Sequence, residues 1–122
     1  MRLQPEYPTI GEAPAMQFLL DGLVYDTAKS TRVAVARGVI TPVDNPYHLP
    51  EGAESKRYED VLYRTGRGNF FVHSHETVKY PRGKPVVQDE AWTVDANRAV
   101  DWIEKEGAMI LDPTGLPLPG EG

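Results

Sequence analysis

The 122-residue sequence contains no cysteine, which excludes disulfide frameworks, thiol catalysis and sulfur-ligated metal sites together. It has no apolar run near the ~18 residues that a membrane-spanning helix needs. The opening MRLQPEYPTIGEAP has no unbroken apolar core of a secretory signal. A soluble cytoplasmic protein without a membrane partner is therefore expected. Nucleotide and nucleophile motifs are missing too, since there is neither a Gly-x-Ser-x-Gly elbow nor a Gly-x-x-x-x-Gly-Lys-Ser/Thr loop. Gly66-Arg67-Gly68 holds half of a dinucleotide fingerprint, but strand formers follow it where a helix is required, so it reads as a turn. The adjacent carboxylates Glu59-Asp60 and Asp89-Glu90 would diverge on a strand and read as solvated charges. No catalytic residue, cofactor or enzymatic activity is expected.

What the chain does have is proline and glycine, 11 of each. Six prolines fall near the ends, three in 42–50, and two at Pro81 and Pro85. Proline lacks a backbone donor and is excluded from helix interiors and central strands, so regular structure is confined to the proline-free blocks 15–41, 51–80 and 86–112. The expected organisation is a flexible tail over 1–14, one domain over 15–111, and a flexible Pro/Gly-rich tail over 112–122.

In the first block, Asp21-Gly22 between apolar runs predicts a tight hairpin, with strands Met16–Leu20 and Leu23–Tyr25. Asp26 and Thr27 offer caps for a helix over 28–37 that buries Ala28, Thr31, Ala34 and Val35 and closes at Gly38. The second block carries the clearest strand pattern, a β-hairpin over 58–78 turning at Gly66–Asn69. Period two puts Phe70, Val72, Ser74, Glu76 and Val78 on one face and Phe71, His73, His75 and Thr77 on the other. In the third block Ala91–Thr93 suggests a short strand, and Asp95 caps a helix over 96–106 whose Ala96, Ala99, Val100 and Ile103 form an apolar stripe. Ala108–Leu111 reads as a late edge strand or a segment folded back on the sheet. The expected fold class is α+β: a small antiparallel sheet packed by two helices.

His73 and His75, two residues apart on a strand, point to one side and could share a metal. Two ligands are not a site. A third would have to come from His48 or a carboxylate, and the neighbouring Glu76 lies on the other face, so no metal is expected. Charge is distributed unevenly. Residues 54–84 hold seven basic groups (Lys56, Arg57, Arg64, Arg67, Lys79, Arg82, Lys84) against four acidic ones, whereas 85–122 carries a net −6. The basic hairpin with its aromatic residues suits nucleic acid. The acidic last helix, with Asp101 and Glu104, suits a basic protein surface. A third reading is that both are ordinary solvated faces.

Three segments, Leu23–Ala34, Glu59–His73 and Val94–Glu104, together 38 of the 122 residues, resemble a family of small uncharacterised bacterial and phage-associated proteins. The shared pattern is a Tyr-Asp-Thr start, a Leu-Tyr-Arg-Thr hairpin with a basic glycine turn followed by Phe-Phe, and a last helix with alanine three residues before tryptophan. The resemblance implies two helices against an antiparallel sheet and brings no catalytic residue. Because such proteins travel with phages and mobile elements, it also implies a non-catalytic accessory protein that binds a host protein or complex. An inhibitor of a host defence system, of the anti-CRISPR type, is the concrete expectation. Its docking residues would be Arg64, Arg67, His73 and His75 on the hairpin, or Asp101 and Glu104 on the helix. The competing expectation is a small DNA-binding regulator that lays the basic hairpin into a groove.

Overall fold

A computed structural model describes residues 15–43 and 49–116. The first element is a hairpin of strands β1 (Gln17–Leu20) and β2 (Leu23–Asp26). Asp21 and Gly22 both take positive φ, 51° and 80°, the primed turn whose twist matches the strands it joins. A ten-residue strand β3 (Thr31–Ile40) follows, then β4 (Ser55–Arg64), β5 (Phe70–Lys79), β6 (Val86–Val94), the helix α1 (Ala96–Glu106) and a short β7 (Met109–Ile110). Strands β3 to β7 form one five-stranded antiparallel sheet in the order β6-β5-β4-β3-β7. Partners on β4 and β5 lie symmetrically about Arg67, and those on β5 and β6 about Arg82.

The two-helix expectation is overturned, because the described residues are mostly antiparallel β with a single α-helix among them. Residues 28–37 are not helical. Asp26 caps only a single 3-10 turn over Thr27–Lys29, its Oδ1 accepting from the Ala28 amide at 2.8 Å, and the chain then extends into β3. The β-branched Val33, Val35, Val39 and Ile40 suit that strand. Gly38 is no helix cap either: it lies within β3 opposite Tyr58, and a Cβ there would stand 2.9 Å from the Tyr58 hydroxyl. Where the sequence suggested a strand only at 91–93, β6 runs over nine residues.

The sheet is covered on both faces. On one, α1 lays Ala99 against Val33, Ala34, Leu62, Phe70 and Val72, with Trp102 and Ile103 at the margin. Asp95 accepts from the Arg98 amide at 2.8 Å to start this helix, and Gly107 ends it at φ 62°. On the other face the β1–β2 hairpin sets Tyr25 against Val35, Val61, Tyr63 and Phe71. Phe71 stacks on Tyr63 at 5.0 Å and meets Tyr25 edge-on at 5.2 Å. A register shift in β3 between Arg32 and Ala34 inserts Val33 as a bulge. The Val33 carbonyl accepts from the Leu111 and Asp112 amides, at 2.8 and 3.2 Å, so the chain after β7 is fastened to the bulge. Residues 112–116, expected to belong to a flexible tail, therefore pack: Gly115 is buried beside Val33, and Leu116 joins the core. The tail residues 1–14 and 117–122, together with His48, lie outside the described residues. No helix among those described is long and apolar enough to cross a membrane.

Candidate functional site at the β5–β6 edge

The strand register brings together what sequence spacing left apart. His75 pairs directly with Asp89 of β6, and His73 pairs with Ala91, one side-chain step away on the same face. Both imidazoles turn to one carboxylate oxygen. His73 Nε2 and His75 Nδ1 each lie 2.7 Å from Asp89 Oδ1. Burial by itself would raise the Asp89 pKa, but the hydrogen bonds and charge of His75 and His73 outweigh it and hold the carboxyl below its usual range. As an ionised carboxylate Asp89 only accepts, so in this arrangement each imidazole donates the N–H that faces it.

Depth differs across the cluster. His73 is 1% exposed under the ring of Phe18 from β1, whose centroid is 5.0 Å from its own. The side chains of His75 and Asp89 retain 13% and 14% of their exposure, so the cluster is closed by Phe18 at His73 and keeps partial solvent contact at His75 and Asp89. On its other flank, His75 pairs in the β4–β5 register with Glu59, a carboxylate buried to 1% exposure. Three donors of two chemical kinds thus converge from two adjacent strands. His73, His75 and Asp89 form a group whose ligand atoms all lie within 4.8 Å of one another.

The expected docking residues do not form one surface. His73 is buried, and Arg64, on the α1 side of the sheet, stands over the Phe70 ring at 5.9 Å. Arg67, in the β4–β5 turn, lines a shallow cavity of about 370 Å³ with Leu23, Val24 and Tyr25. The basic residues read as a nucleic-acid strip are also dispersed. Lys56 pairs with Glu76 at 3.3 Å and Lys79 with Glu54 at 3.7 Å. Arg57 faces away from Lys56 across the sheet, and Arg82 and Lys84 lie beyond the far end of the ten-residue β5 from Arg67. Asp101 and Glu104 are exposed on α1.

The edge itself is the second feature. Among the described residues β6 pairs only with β5, leaving a nine-residue outer strand with Val86, Val87 and Trp92 exposed, and Leu19 of the hairpin 73% exposed near Trp92. Sequence reasoning missed Asp89 because Asp89-Glu90 looked like solvent-facing charge. The available signal was the turn: pairing β5 and β6 symmetrically about Arg82 puts residue 89 opposite 75.

Fold and site define a small antiparallel β protein with one covering helix and a histidine–aspartate cluster beside an open strand. Compared with protein-family models, with curated proteins and with solved structures, the chain matches none.

Proposed function

We propose that the protein acts by docking a partner protein, an extended basic segment of the partner adding to the open edge of β6. The observation that carries this reading is the edge: nine residues, exposed apolar side chains, no proline, and a second side without a strand among the described residues. Such a row of backbone donors and acceptors is a template for strand addition, with affinity from main-chain hydrogen bonds and selectivity from side-chain pockets. Charge selects the occupant. From Val86 to Glu106 the chain carries Asp89, Glu90, Asp95, Asp101, Glu104 and Glu106 against only Arg98 and Lys105, so lysine and arginine beside the added strand are favoured. A second copy of this chain is disfavoured, because antiparallel pairing about the strand centre would put Glu90 opposite Glu90. Set beside the family resemblance, the same reading extends to a non-catalytic accessory protein that blocks a component of a host defence system by occupying its surface.

The test is a random peptide library panned against the immobilised protein. Enriched peptides are expected to be β-branched and rich in lysine or arginine, to shift the amide resonances of Val86–Val94, and to be lost on the double substitution Glu90→Lys/Trp92→Lys. Enrichment of acidic peptides, or shifts confined to other strands, would sink the reading.

A further inference from the structure

We infer that His73, His75 and Asp89 bind one divalent transition-metal ion, of the zinc class, through His73 Nε2, His75 Nδ1 and one Asp89 oxygen. The inference stands on these ligands alone and does not depend on what docks at β6. Its first support is convergence: two neutral-capable imidazole nitrogens and a carboxylate oxygen, from strands locked in register, already lie within 4.8 Å of one another. The second is donor chemistry. Two imidazoles and one carboxylate suit zinc, iron(II), cobalt(II) or nickel(II), whereas calcium and magnesium prefer sites built only of oxygen. The third is the setting: Phe18 shuts the His73 side, while partial exposure of His75 and Asp89 leaves a route for the ion and for a water as a further ligand.

In the metal-free protein the same atoms are held by hydrogen bonds that Asp89 Oδ1 accepts from both rings. On binding, the ring nitrogens that face Asp89 must give up their protons, which move to the other nitrogen of a neutral ring or leave to solvent from an imidazolium, so each ring coordinates as neutral imidazole and the ion links β5 and β6 directly. The open edge strand would thus be fastened to the sheet at its middle residues when metal is present.

The experiment is titration of the chelator-treated full chain with cobalt chloride, followed by zinc displacement. One equivalent of cobalt is expected to bind with ligand-field absorption typical of imidazole and carboxylate, zinc is expected to bleach it, and magnesium to leave it untouched. At a hundred-fold excess over Kd, zinc should raise the melting temperature by about 10 °C. His75→Ala and Asp89→Asn, at half-buried positions, should each weaken binding at least ~10-fold. Should either variant fail to fold, imidazole nitrogen resonances of the unmodified protein decide instead: zinc must shift His73 Nε2 and His75 Nδ1. Binding no tighter than about 100 µM, unchanged affinity in both folded variants, or shifts confined to His48 would overturn the inference.

Discussion

Asp60 is placed by β4 on the α1 side of the sheet, opposite Ser74 and close to Glu76 and Glu106, and its Oδ1 is buried with no hydrogen-bond partner among the described residues. Burial is the main reason that its carboxyl titrates at about 6 rather than 3.8; the Ser74 hydrogen bond opposes this, Glu76 and Glu106 reinforce it, and Lys56 opposes it. The native state therefore keeps a proton that the unfolded chain has already lost between those two values, and stability falls as pH rises through that window. Asp60→Asn cannot ionise, so it is expected to stabilise the fold by about 1–2 kcal/mol at pH 7.5 and to change it little at pH 4. Urea unfolding at both pH values checks this, and an equal increment at both would contradict it. At Gly38 the constraint is contact, not conformation, because the atoms nearest a Cβ there all belong to the Tyr58 side chain, its hydroxyl at 2.9 Å. Gly38→Ala is expected to cost about 1 kcal/mol alone and close to nothing in a Tyr58→Ala background, a coupling that a double-mutant cycle measures.

Among the elements, those whose ends are marked by special residues were legible in the sequence. Asp21-Gly22 fixed the first hairpin, Gly66–Asn69 the second, and Asp95 with Gly107 delimited α1 to the residue. Asp95→Ala removes the bond from the Arg98 amide, and is expected to cost about 1 kcal/mol and lower the melting temperature by about 3–6 °C in a thermal scan. β3 was illegible for a physical reason. Residues 33–36 are all buried, because both faces of the sheet are covered and the bulge at Val33 puts two successive side chains into the α1-side core. Alternation, the signature of a strand with one wet face, is thereby erased, and the small Ala34 and Ala36 with an acidic cap upstream imitate a helix. The third ligand of the cluster was hidden by the same kind of blindness, since Asp89 and Glu90 are neighbours in sequence but only Asp89 faces the histidines.

For the whole molecule, the acidic surface of β6 and α1 is the long-range term. Asp101→Lys/Glu104→Lys changes two exposed positions that make no core contact, so the melting temperature should stay within ~1 °C. Affinity for the basic peptides selected on β6 should fall, and fall more in 50 mM than in 500 mM salt, as calorimetry at the two concentrations would show. The order β6-β5-β4-β3-β7 has a kinetic side as well. From β3 to β6 every pairing joins consecutive strands, so this part can zip up turn by turn at small loop-closure cost. The exception is β7, which must return across α1 to pair Ala34 with Ile110 and bring the Leu111 amide to Val33. That return is expected to form last: Ile110→Ala should then speed unfolding while leaving the refolding rate nearly unchanged in stopped-flow measurements. On that expectation the two hydrogen bonds to the bulged Val33 carbonyl are a latch, and the lifetime of the native sheet before opening should follow their closure rather than the strands that assemble first.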